Sequence, residues 1–158
     1  MIKAIFANYP TLDYDDYLNM PISKATRESL IPLLQKQLKG LSVKNGVDYL
    51  MRFTRYAFVF EPDTKQFGQE KRLTPEQTLL YESSDCEDRV FLFYSLVKEI
   101  YNLPMIIIAY PQHVTIAVKF AYTICEPTPQ NTDLNVGQQM PQLKNEKYEV
   151  AYAYRPLK

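Results

Sequence analysis

The chain has 158 residues, 46% of them hydrophobic, which is enough for one domain with a substantial core. Its 18 basic and 18 acidic side chains cancel, and no basic run is interleaved with aromatics, which argues against a nucleic-acid partner. No stretch approaches the roughly 20 apolar residues of a membrane span, and the opening Met1 to Asn8 is too short for the apolar part of a signal peptide.

A soluble chain is therefore expected, with cytoplasm and bacterial cell envelope both open as compartments. A single histidine and no close cysteine pair leave no zinc cage, so no metal and no cofactor are expected. Cys86 and Cys125 read as free thiols, because disulfide scaffolds are usually smaller and richer in cysteine.

In chain order, Asn8 to Met20 is aromatic and acidic, with Pro10 inside it and Pro21 just after it, and reads as a segment wrapped over the surface. Ser23 to Thr26 precedes a helical pattern of Leu30, Leu33, Leu34, Gln37 and Leu38 that Gly40 closes. A second helix carries Val43, Val47, Leu50, Met51, Thr54, Ala57 and Phe58, runs to about Phe60 and is stopped by Pro62. Glu61 to Leu73 is polar and without period. Thr74-Pro75-Glu76-Gln77 is a cap followed by proline at the first helical position, and it opens a short helix ending near Tyr81.

Ser84-Asp85-Cys86-Glu87 opens the strongest helix, with Ser84 and Glu87 at the spacing of a capping box. Val90, Phe93, Tyr94, Val97, Ile100 and Tyr101 form one face of it, and Cys86 begins that face. Beyond Pro104 the β-branched run Met105 to Tyr110 predicts a buried strand. Further strands are expected at about Val114 to Phe120, Tyr122 to Glu126 and Tyr148 to Tyr154, with a polar loop from Pro127 to Asn145. Helices first and strands later predict an α+β domain, with helices packed on a mostly antiparallel sheet.

Three residues on this frame carry chemistry. With Ser84 as N-cap, Cys86 is the second helical residue, where free N–H groups and the positive end of the helix dipole favour an anion. A thiol there is expected to ionise more readily than a free one, and the same N–H groups suit an oxyanion. Asp85, Glu87, Asp88 and Arg89 make this turn polar, unlike an ordinary core entry.

His113 heads the less apolar face of its strand, which it shares with Thr115 and Ala117. If the next two strands form a tight hairpin, Lys119 faces Tyr122 and Thr115 faces Glu126. Glu126 then lies diagonal to His113 on one face, within reach of a hydrogen bond that fixes the imidazole tautomer. Cys125 points the other way, into packing.

The chain at this point resembles the transglutaminase-like cysteine proteins of papain-type fold. Their motif Gly-Asp-Cys-Glu-Asp is similar to Ser84-Asp85-Cys86-Glu87-Asp88, their histidine segment to Tyr110-Pro111-Gln112-His113, and their Asp-Pro-Thr to Glu126-Pro127-Thr128. Ser84 stands where glycine is common, and Glu126 where aspartate is usual.

The resemblance implies a papain/transglutaminase-like core, a Cys86-His113-Glu126 triad, and acyl transfer or amide hydrolysis on a peptide or protein substrate. It also implies an oxyanion donor, for which Gln77, Tyr81 and Gln112 are candidates. Asp63 to Glu70 resembles a segment ahead of the Cys motif in bacterial members, read either as a loop docked by Phe67 or as a wall of the cleft. The alternative function is an inactive module of the same fold that binds a protein or glycan. The hairpin near Phe120 to Tyr122 lacks the usual turn residues, and the opening reads like mid-protein. One domain excised from a larger chain is therefore expected.

Overall fold

The computed structural model describes residues 14–120, 123–128 and 134–157. Helix α1 covers Tyr14–Leu18, inside the segment expected to be irregular, and Tyr14 and Tyr17 both lay their rings on Phe91. The part of that segment before residue 14 and the hairpin residues 121–122 lie outside the described residues.

Helix α2 covers Lys24–Leu38, capped by Ser23, whose side chain accepts from the Thr26 N–H, and Gly40 follows it at φ +85. A left-handed residue just past a helix end is where glycine is favoured. The apolar stripe is set one residue off its sequence pattern: Ile31, Leu34 and Leu38 are buried, whereas Leu33 is exposed. Helix α3 covers Val43–Tyr56 and buries Val47, Leu50, Met51 and Thr54 as the period requires.

This helix ends before Phe60. Val59–Phe60 instead forms a short strand, β1, paired in parallel with β2 at Ser83–Ser84. The segment after Pro62 is not wholly irregular either, since Asp63–Gln66 winds into a turn of helix, α4. Helix α5, Pro75–Leu80, has the cap its sequence demands, with a Thr74–Gln77 capping box and proline in the first turn.

Helix α6, Cys86–Tyr101, is the centre of the fold. All residues from Asp88 to Val97 are buried, so it is enclosed on every side and not on one face only. It packs against α1, α2, α3, α5 and the central strand β4. Asn102, left-handed at φ 49, ends it, and its N–H reaches the carbonyls of Val97 and Lys98.

Strands β3 (Met105–Tyr110), β4 (His113–Val118), β5 (Thr123–Cys125) and β6 (Glu149–Tyr154) form an antiparallel sheet of order β5-β4-β3-β6. The register of β4 with β5 pairs Ile116 with Cys125 and Val118 with Thr123, as the tight-hairpin alignment requires. One face of the sheet packs Ile107, Val114, Ile116, Val118 and Cys125 into the core with α6. The other face packs Ile108, Tyr110 and Ala117 against Met140 and Leu143, which belong to the long connection and flank or form a 3-10 turn at Pro141–Leu143. The architecture is α+β, with helices on a mostly antiparallel sheet.

Candidate active site

The chain enters α6 one residue later than the sequence pattern implies. Asp85 is the N-cap, its carboxylate accepting from the Glu87 and Asp88 N–H groups, and Asp88 completes the capping box. Ser84 is drawn out of that role because its backbone belongs to β2, and its hydroxyl accepts from Arg89 Nε at 2.9 Å. Glu87, freed from capping, receives Tyr14 Oη at 2.8 Å and Arg72 Nε at 2.6 Å. Cys86 is thus the first residue of α6 and is half-buried.

The Cys86 sulfur meets the backbone of β4 at Val114. The backbone N–H groups of Val114 and Glu87 both favour its anion. Burial acts more strongly in the other direction, aided by the charges of Asp85 and Glu87, and the thiol is pushed up to about 12. This runs against the expectation that a thiol at the helix end, with His113 to favour its anion, would ionise more readily than a free one. The helix terminus does supply favourable N–H groups, but the carboxylates that make the turn polar also surround the sulfur with negative charge.

His113 is nearly closed to solvent, and its Nε2 lies 2.8 Å from Glu126 Oε2. Glu126 is wholly buried, and its Oε1 has no hydrogen-bond partner among the described residues. Two neighbours hold its end of β5: Thr115 Oγ1 donates to the Cys125 carbonyl at 2.8 Å, and Arg55 Nε donates to the Glu126 carbonyl at 3.2 Å. Arg55 comes from α3 and is itself buried. The bond to Glu126 occupies Nε2, so Nδ1 is the ring nitrogen that it does not use.

The remaining candidates separate. Gln112 is exposed and lines a cavity of about 410 Å³ beside His113, whose walls include Tyr110, Met140, Leu143 and Glu146. Gln77 uses its side-chain oxygen to accept from the Thr74 N–H, so it serves its own helix. Tyr81 stands edge-on to Phe67 with ring centroids 5.4 Å apart, and Lys71 sits over the Phe67 ring at 4.4 Å. Phe67 thus packs against Tyr81 and under the Lys71 ammonium. Cys125 is free and fully buried in the core.

Arg89 and Arg55 were not singled out as a supporting pair by sequence reasoning. Arg89 is fully buried, donates to the carbonyls of Arg55 at 3.3 Å and Phe58 at 2.9 Å, and is lowered to about 10 chiefly by desolvation. Together the two guanidiniums tie α3, Phe58 just ahead of β1, β2 at Ser84, α6 and Glu126 just after β5 into one frame. Its sequence signal is faint, because a charged residue inside an apolar helix also reads as a solvated position.

No protein-family model and no curated protein matches the chain. Among solved structures, the fold is similar to that of a protein from Cytophaga hutchinsonii whose name assigns it provisionally to the cysteine proteases, with a TM-score of 0.51 and 13% sequence identity. The match covers 92% of this chain and 55% of the other, so the chain spans about half the length of that structure. What is shared is the fold, helices packed on an antiparallel sheet.

Proposed function

We propose that the protein is a transglutaminase-like thiol enzyme that hydrolyses or transfers an amide-linked acyl group through Cys86, His113 and Glu126. The observation that carries this reading is the buried His113–Glu126 pair at 2.8 Å, at the start of the strand whose next N–H, that of Val114, faces the Cys86 sulfur.

Because the thiol is raised, the sulfur holds its proton at neutral pH. Attack then requires His113 Nδ1 to take that proton as the sulfur–carbon bond forms, while Glu126 steadies the imidazolium through Nε2. The carbonyl oxygen becomes an oxyanion, for which backbone N–H groups at the start of α6 are the nearest donors of the right kind. Collapse breaks the carbon–nitrogen bond, His113 returns its proton to the leaving amine, and a thioester on Cys86 remains. Water then gives an acid, or an amine a new amide, with the thiol regenerated in either case.

The raised thiol is the one observation that favours a non-catalytic module of the same fold, which would bind a protein or glycan and turn nothing over. The deciding experiment is to incubate the protein with a panel of peptide amides, with and without amine acceptors, and to follow ammonia or amine release together with the mass of the protein. The expected result is release that requires Cys86, with a transient acyl adduct on that residue. Absence of both release and adduct, together with no labelling of Cys86 by peptidyl vinyl sulfones, would leave the binding module as the reading.

A further inference from the structure

None of the acyl-transfer steps uses the cavity of about 410 Å³ beside His113. It lies on the face of the sheet where Tyr110 packs with Met140 and Leu143, and these three, with Pro111, give it an apolar wall. Its volume is at the small end of the roughly 300–1,000 Å³ of ligand sites, which suits one long side chain rather than a folded partner.

Charge is spread unevenly around this cavity. Among the described residues its wall holds one carboxylate, that of Glu146, and no lysine or arginine. The Glu146 N–H donates to the Leu143 carbonyl at 3.1 Å, which holds residue 146 just beyond the 3-10 turn, and its carboxylate has no ion-pair partner among the described residues. Lys144 and Lys147 flank it in sequence, but neither lines the cavity, and Lys147 lines the adjoining depression with Tyr148 and Glu149. The Tyr110 hydroxyl already accepts from Gln139 Nε2 at 2.7 Å. His113 borders the cavity with Glu126 behind it at 2.8 Å. With Glu126 ionised, that pair carries one negative charge or none, according to the protonation of the imidazole. No part of the wall therefore compensates Glu146.

We propose that this cavity is a specificity subsite for a lysine or arginine side chain of the peptide whose amide is attacked, with Glu146 as the residue that selects it. An aliphatic stem covers the apolar wall while its cationic end meets Glu146 and keeps contact with water. A carboxylate in the same place would meet Glu146 without a cation to offset it, and repulsion of that kind is how a site rejects a wrong partner. The shared wall at His113 puts an occupant of the cavity beside the proposed base. Glu146 is exposed, so its effect is a moderate one on selectivity rather than a large one on affinity. The attack itself rests on the thiol-enzyme reading, whereas the charge selection belongs to the cavity and is measurable without turnover.

The test uses N-acetyl tripeptide amides that carry lysine, arginine, norleucine or glutamate at one of the two positions before the scissile amide, with alanine elsewhere. Two quantities are read: kcat/KM with the parent protein, and calorimetric binding to Cys86→Ala, which has no nucleophile. The expected result is a preference for lysine and arginine over norleucine of about fivefold at one position, the upper end for an exposed ion pair, with glutamate poorest. Glu146→Gln should remove the preference and Glu146→Lys should turn it toward glutamate, each with an unchanged circular dichroism spectrum. Selective binding without any turnover in the parent would overturn the enzyme reading and uphold the subsite. Absence of a cationic preference in both quantities, or a preference that Glu146→Lys leaves unchanged, would overturn the subsite whether or not the peptides are cleaved.

Discussion

The imidazole of His113 and the carboxylate of Glu126 meet through Nε2 and Oε2 at 2.8 Å, in a pocket that leaves His113 7% exposed and Glu126 not at all. A carboxylate is buried that deeply only where something compensates it. Here the compensation is partial: one oxygen faces the imidazole, the other has no partner among the described residues, and the carbonyl of the same residue is held by Arg55. The pair is therefore tied to α3 as well as to the sheet, and the site's geometry depends on a contact far from its chemistry.

Glu126→Gln keeps the shape and a hydrogen-bonding oxygen but removes the charge that steadies an imidazolium. If His113 is the base, turnover should fall by about 10²–10⁴-fold, the range of a general acid–base contribution, with the fold unchanged by circular dichroism. The ratio kcat/KM on the substrate found in the amide screen is the measurement. A variant within about twofold of the parent would remove Glu126 from the mechanism.

Arg55→Met should act in two ways. It leaves the Glu126 carbonyl without its donor inside the core, at a cost of about 1–3 kcal/mol seen as a lower denaturation midpoint. It should also loosen Glu126 and so reduce the rate of any Cys86-dependent reaction. Stability lost with full activity kept would show that the sheet alone holds the acid.

The sequence carried the skeleton of this arrangement but not its fittings. The strand Met105–Tyr110 and the cap at Thr74 were legible because a β-branched run and a Thr-Pro-x-Gln pattern each admit few local structures. The alternation along His113 to Val118, with the hairpin alignment, placed Glu126 near His113 from side-chain periodicity alone. The N-cap fell one residue away because Ser84 is claimed by pairing with β1, a contact between distant segments that no local pattern contains. The acidity of Cys86 was misjudged for a similar reason: helix position is local, whereas burial and the fields of Asp85 and Glu87 are set by packing.

The acids at the head of α6 make stability depend on pH. Burial, first, and then Asp85 raise Asp88 to about 7, and burial with Asp63 raises Asp85 to about 6. Both folded values exceed the ordinary 3.8, so the native state holds protons that the unfolded chain has already lost. Their contribution to stability is complete below that ordinary value and disappears as pH rises through about 6 to 7. The denaturation midpoint should therefore decline across this interval, and Asp88→Asn should flatten the decline. A midpoint that climbs through the same window in the parent would contradict the assignment.

The last prediction concerns the thiol itself. Cys86 is pushed up to about 12 by burial and by two neighbouring carboxylates, well above the roughly 8.5 of a free cysteine. Only the thiolate is alkylated, so the rate with iodoacetamide should be slow at neutral pH and should rise about tenfold per pH unit from pH 7 to pH 10. Cys125, fully buried and also raised by desolvation, should react only when the chain unfolds. His113→Ala should leave the alkylation profile of Cys86 nearly unchanged while abolishing turnover, since the imidazole is needed to accept a proton during attack and not to hold a thiolate beforehand. A parent profile that is already flat and fast from about pH 6 upward, and that His113→Ala converts to a slow rising one, would mean instead that sulfur and imidazole rest as an ion pair.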